Sequence, residues 1–103
     1  MTLPGLDSLI HAPVRLQICA ILSAVDEAEF ALVREETGVS ESVLSKQVKL
    51  LEEAGYVAVR KATHASRQRT WLALTKAGRT AFAAHMQALT ALAQAAASGI
   101  AAE

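Results

Sequence analysis

Apolar residues recur at helical spacing early in the chain, near its middle and again at its end, with alternating stretches between. Val14, Ile18, Ile21, Leu22 and Val25 predict a first helix over about Pro13 to Ala24. Pro13 suits a first helical turn, where a missing N–H costs nothing. Leu16, Cys19 and Ala20 make this helix apolar on nearly every side, so it belongs at the centre of the fold. A polar connection, Asp26 to Glu29, comes next, with Glu29-Phe30 as a short strand. A second helix is expected over about Ala31 to Thr37, with Val33 inward and Gly38 just past its end, where left-handed geometry is favoured. Ser40 is a suitable N-cap for a third helix over about Glu41 to Ala54, and Glu41 suits the dipole of its first turn. Leu44, Val48 and Leu51 form that helix's inward stripe. Tyr56 to Lys61 alternates as a strand, Ala62 to Gln68 reads as a hairpin loop, and Arg69 to Leu74 returns with Leu72 and Leu74 on one face and Trp71 on the other. Thr75 caps a final helix from Lys76 to about Ser98.

That last helix carries Phe82, His85, Met86, Leu89, Leu92, Ala93 and Ala96 at 3- and 4-residue spacing, further than a small domain needs to cover its own core. Such an overhang predicts burial against a second copy, through Phe82, Met86, Leu89 and Leu92. Residues 1–12 read as an arm whose Leu6, Leu9 and Ile10 pack on a neighbour or on the last helix; Leu9 and Ile10 join the expected dimer contacts. The whole is expected to be one domain, 1–103: an arm (1–12), a core with its hairpin (13–75) and a dimerisation helix (76–103).

The zero net charge argues against a nucleic-acid partner until it is resolved along the chain. Residues 54–102 hold six bases and no acid, and Arg60, Lys61, Arg67 and Arg69 cluster on the hairpin. Phosphates sense the local field rather than the net charge. Ser42, Ser45, Lys46 and Lys49 fall on the outward side of the third helix. Ser45 and Lys46 lie mid-helix, where base edges come closest, and Ser42 lies in the first turn, where phosphate is attracted. Lys49 suits the backbone, and Gln47 lies on the flank, where a contact inside the fold is also open to it. A turn, an outward basic helix and a basic hairpin in that order predict a helix-turn-helix with a β-wing: mainly α, with a small β-hairpin (α+β).

Other chemistries find little support. Cys19 stands alone, so neither a disulfide nor a cysteine-pair metal site is expected, and its bland role is a small core residue. His11, His64 and His85 are scattered and form no catalytic constellation, so no enzyme and no cofactor are expected. His85 on an apolar helix face is expected to be structural, and Trp71 to pack beside the wing. No stretch resembles a signal peptide or a membrane span, so a cytoplasmic protein without membrane contact is expected.

Four segments together carry a resemblance: LDSLIHAPVR at Leu6–Arg15, Phe30, LSKQVKLLEEAGYV at Leu44–Val57, and RQRTWLALTKAGR at Arg67–Arg79. In them the chain resembles winged helix-turn-helix transcriptional regulators of the MarR/ArsR-like kind, over about residues 6 to 92. The resemblance implies sequence-specific binding of double-stranded DNA as a homodimer, with the helix at about 41–54 in the major groove and the wing at about 62–69 on the minor groove or phosphates. It places DNA contacts at Ser42, Ser45, Lys46, Lys49, Arg67 and Arg69. Similar proteins often have Arg-His or His-His where this chain has Lys46-Gln47, so base preferences do not carry over, and the wing tip lacks glycine. Metal-sensing relatives use cysteine pairs that this chain lacks. A repressor acting by promoter occlusion is the first reading. A small-molecule effector, near Trp71 or His85, is left open, since no residue set demands one. The alternative is a winged-helix protein-interaction module without specific DNA binding, kept open by Glu41, Glu52 and Glu53 near the outward helix face.

Overall fold

The computed structural model describes residues 4–99. Its elements are α1 (Ser8–His11), α2 (Pro13–Ser23), β1 (Ala28–Glu29), α3 (Phe30–Thr37), α4 (Glu41–Glu53), β2 (Val57–His64), β3 (Arg67–Leu74) and α5 (Lys76–Ala97). The strands form one antiparallel sheet in the order β1-β3-β2. Five helices around a small three-stranded sheet make the α+β winged-helix architecture that the hydrophobic pattern predicted.

The apolar α2 lies at the centre and touches α1, α3, α4, α5 and β3. Ile18, Cys19 and Leu22 from α2 are fully buried with Val33, Leu44, Leu51 and Leu72. Each such aliphatic side chain contributes about 1.5–3 kcal/mol by leaving water. Cys19 takes the small core position expected of it; burial first, then the nearby Asp7 carboxylate, pushes its thiol up to about 11. The helix ends follow the capping residues. Ser40 Oγ accepts the Val43 N–H at 3.2 Å, Thr75 Oγ1 accepts the Gly78 N–H at 3.0 Å, and Gly38 ends α3 with φ 73°. Gly78 is required for another reason: a Cβ there would collide with the Tyr56 carbonyl oxygen, against which α5 starts.

The structure corrects the sequence reading in three places. The short strand is Ala28–Glu29, and Phe30 already begins α3. Part of the expected arm is a helical turn, α1, capped by Asp7, whose Oδ1 accepts the N–H groups of Leu9 and Ile10. Ile10 is fully buried in the core, so it is not on a surface that a second copy could touch; Leu9 is packed against the same core. Third, the expected loop at Ala62 to Gln68 shrinks to two residues, because the strands stay paired out to His64 opposite Arg67. Ala65 and Ser66 make the turn with φ 51° and 67°, the signs of the two-residue turn that suits a twisted hairpin. Without glycine, each left-handed residue costs about 1–2 kcal/mol, a strain the long ladder beneath it sustains.

α5 splits the stripe read from its sequence. Phe82 packs on the core and His85 is fully buried, whereas Met86 and Leu92 are 39% and 47% exposed. The molecule measures 61 Å along its longest axis, against 26 and 20 Å across. The expectations for residues 1–3 and 100–103, in the arm and at the end of the last helix, lie outside the described residues.

Candidate nucleic-acid interface

α4 presents Ser42, Val43, Ser45, Lys46 and Lys49 to solvent, because Leu44, Val48 and Leu51 occupy its buried stripe. Gln47 is half-buried and turns inward, where its Oε1 accepts from an Arg15 guanidinium N–H at 2.6 Å. Arg15 also donates from Nε to the Leu9 carbonyl at 2.6 Å, so α4 is tied to α1 through one side chain of α2. Val43 was absent from the sequence reading. It is 40% exposed among the polar residues of the helix's first turns, where side-chain exposure, rather than sequence spacing, reveals it.

Alternation along the β2–β3 ladder divides the wing into two faces. Lys61 opposite Thr70, and Thr63 opposite Gln68, share the face turned toward α4. Between α4 and this face runs a cleft of about 410 Å³ whose lining includes Ser45, Lys49, Lys61 and Thr70. Glu41 and Glu52 line it as well, so its electrostatic character is mixed. The other face carries Arg60 opposite Trp71, Ala62 opposite Arg69, and His64 opposite Arg67.

On that second face the arginines differ in availability. Arg60 pairs with Glu27 at 2.5 Å and lies over the Trp71 ring, 5.6 Å from its centroid. Arg69 pairs with Glu29 at 2.9 Å, held there because β1 runs beside β3. Its Nε is buried without a hydrogen-bond partner. Arg67, nearer the turn, is exposed and enters no ion pair among the described residues; the same holds for Lys46, Lys49 and Lys61. Arg67 and Arg69 therefore lie on a strand, not at a loop tip, and Arg60 and Arg69 are already neutralised by acids of the chain. Trp71 packs with Arg60 beside the wing.

α5 also leaves Met86 and Leu92 exposed and Leu89 half-buried. Among the described residues no cluster of three or more His, Cys, Asp or Glu could hold a metal ion, and no helix is long and apolar enough to cross a membrane.

Comparison with known proteins agrees with this geometry. A family model described as a winged helix DNA-binding domain matches residues 14–93. An uncharacterized protein of Methanocaldococcus jannaschii is 31% identical over 74 residues, covering 72% of this chain and 80% of its own. The transcriptional regulator homologue protein from Pyrococcus horikoshii OT3 superposes with a TM-score of 0.79 at 26% identity, over 84% of this chain and 85% of that one. The PcaV transcriptional regulator of Streptomyces coelicolor, solved in complex with its natural ligand, shares the fold with a TM-score of 0.74 at 19% identity, over 87% of this chain and 62% of its own.

Proposed function

The chain belongs to the winged helix DNA-binding domain family, whose fold is that of transcriptional regulators rather than enzymes, and from that premise we propose a homodimeric, sequence-specific DNA-binding repressor. The observation that carries the proposal is the division of basic side chains. Lys46 and Lys49 on the outward face of α4 and Arg67 near the wing turn are solvated and outside the ion pairs of the described residues.

In the proposal α4 enters the major groove by its N-terminal half, away from Glu52 and Glu53. Ser45 and Lys46 reach base edges, Val43 meets a thymine methyl, and Ser42 and Lys49 hold phosphates. Lys61 adds to the phosphate contacts from the cleft side of the wing, and Arg67 reaches the adjacent minor groove or backbone. Arg60 and Arg69 take a lesser part while Glu27 and Glu29 hold them. Two copies join along α5 through Met86, Leu89 and Leu92, with Phe82 at the edge of that surface and Leu9 beside it. They present their recognition helices to half-sites about 34 Å, one helical turn, apart. Repression follows by occupying a promoter. A small-molecule effector belongs to the proposal as a modulator, supported by the ligand seen with the Streptomyces coelicolor regulator.

The experiment is a genomic-fragment selection with purified protein at near-physiological salt, paired with light scattering. The proposal expects an enriched near-palindromic motif and a dimer mass. Bulk binding without enrichment, or no binding even at low salt, would instead support a protein-interaction module.

A further inference from the structure

A buried polar cluster lies away from the proposed DNA surface, where α1 meets α5. His85 of α5 is fully buried. Its Nδ1 accepts the backbone N–H of Asp7 at 3.0 Å, and its Nε2 lies 3.2 Å from Nδ1 of His11. A backbone N–H can only donate, so His85 Nδ1 carries no proton. The neutral ring must then hold its proton on Nε2 and donate it to His11 Nδ1. The tautomers of both rings follow from one backbone bond.

This arrangement has no place for another proton. Added to His85 Nδ1, it would oppose the Asp7 N–H. Added to His11 Nδ1, it would oppose the His85 N–H. Either way, one of the two hydrogen bonds joining α1 to α5 breaks. The cluster extends further: the Tyr56 hydroxyl donates to Asp7 Oδ2 at 2.6 Å, while Asp7 Oδ1 caps α1. The Leu9 carbonyl of α1 accepts from Arg15, whose other guanidinium nitrogen donates to Gln47 of α4.

We propose that His85 is a proton-sensitive latch between α5 and α1, and that α4 feels its state through Arg15 and Gln47. The latch rests on geometry alone; only its effect on DNA rests on the reading of α4 as the recognition helix. Closed, the neutral pair holds the four-residue α1 on α5, and α1 holds the Arg15 bridge to α4. Protonated, the pair releases α1, and the carbonyl that orients Arg15 is no longer fixed.

The groups around the ring favour the closed state near neutrality. Burial is the foremost cause that lowers the His85 pKa; His11 lowers it further, and the Asp7 carboxylate opposes both. Asp7 itself is held below its ordinary value: burial, the largest single influence, would raise it, but the bonds from Tyr56, Ile10 and Leu9 and the nearness of His85 outweigh it. The Tyr56 hydroxyl is held protonated by that bond to Asp7 and by burial. From α2, Arg15 and the neutral Cys19 thiol complete the surroundings. His64 is exposed on the wing, outside this cluster and beside the proposed DNA surface, so it is replaced where DNA binding is read.

The test is a titration of the whole wild-type chain by NMR from about pH 8 to about pH 5, following the histidine ring nitrogens, the Asp7 amide and the Gln47 side-chain amide. The expected result is an Nε2-protonated His85 at high pH, with the Asp7 and Gln47 signals moving at the midpoint of His85. His85→Asn keeps an acceptor for the Asp7 N–H but cannot titrate, so those movements should vanish in it. If that variant fails to fold, the wild-type titration still decides. Binding to a duplex recovered by fragment selection is measured over the same range, where opening should weaken it roughly tenfold in a His64→Asn background, within the usual range of coupling between linked sites. A Gln47 signal unmoved while His85 titrates overturns the coupling, and an Asp7 amide unmoved overturns the latch. If Gln47 follows His85 but no duplex is bound, the latch stands and the DNA-binding reading falls.

Discussion

The outward face of α4 and the junction of α1 with α5 use the same kinds of side chain for opposite ends. At the junction, Asp7, Arg15, Tyr56 and His85 each find partners inside the chain, across up to 78 residues of sequence. On α4 and the distal wing, Lys46, Lys49 and Arg67 are solvated and outside the ion pairs of the described residues. The difference teaches that a basic or titratable residue is available to a ligand only after the fold has taken its share. The base of the wing lies between these extremes, since Arg60 and Arg69 are exposed enough to meet DNA yet already paired with Glu27 and Glu29.

The comparison breaks most severely if the closed junction proves dispensable. Asp7→Ala removes a helix cap and leaves the Tyr56 hydroxyl without its acceptor. It should cost about 2–3 kcal/mol, a cap plus a hydrogen bond to a charged group, seen as a lower midpoint in denaturant at unchanged m-value. On the open side, Lys46→Ala should cost about 1–3 kcal/mol of DNA affinity and alter base preference, while stability stays within about 0.5 kcal/mol by thermal unfolding.

Acid should lower stability through the closed region. His85 in the folded chain lies below its ordinary 6.5, so the unfolded chain takes up its proton first as pH falls. Its contribution to stability is complete above about 6.5 and is lost as pH falls through the folded value, at up to about 1.4 kcal/mol per pH unit. Denaturant midpoints from pH 8 downward should show this decline, and His85→Asn should flatten it.

Smaller effects sharpen the intermediate case. Glu29→Gln frees Arg69 for phosphate, and the slope of log affinity against log salt should steepen by about one. Arg60→Ala should leave stability almost unchanged, as loss of an exposed ion pair does, so that the coupling is measurable only by a double-mutant cycle with Glu27.

Much of this was legible in the sequence for physical reasons. Ser40, Gly38 and Thr75 act on groups within three or four residues of themselves, so the ends of α3, α4 and α5 could be read locally. The stripe Leu44, Val48, Leu51 fixed which side of α4 faces out. α1 was hidden because a four-residue helix has no periodicity and because His85, which holds it, is distant in sequence. The neutralisation of Arg60 and Arg69 was hidden because it depends on β1 lying beside β3, a pairing of only two residues. The tight turn at Ala65-Ser66 was hidden because neither residue announces a left-handed conformation.

The most direct measurement of the central claim is the salt dependence of binding to a selected duplex for the wild-type chain and for Lys49→Ala/Arg67→Ala, with thermal unfolding of both. The account predicts a slope shallower by about two for the variant, roughly one for each phosphate that a basic side chain no longer neutralises, with Tm nearly unchanged. An unchanged slope in a variant that remains folded would contradict the assignment of α4 and the distal wing to DNA.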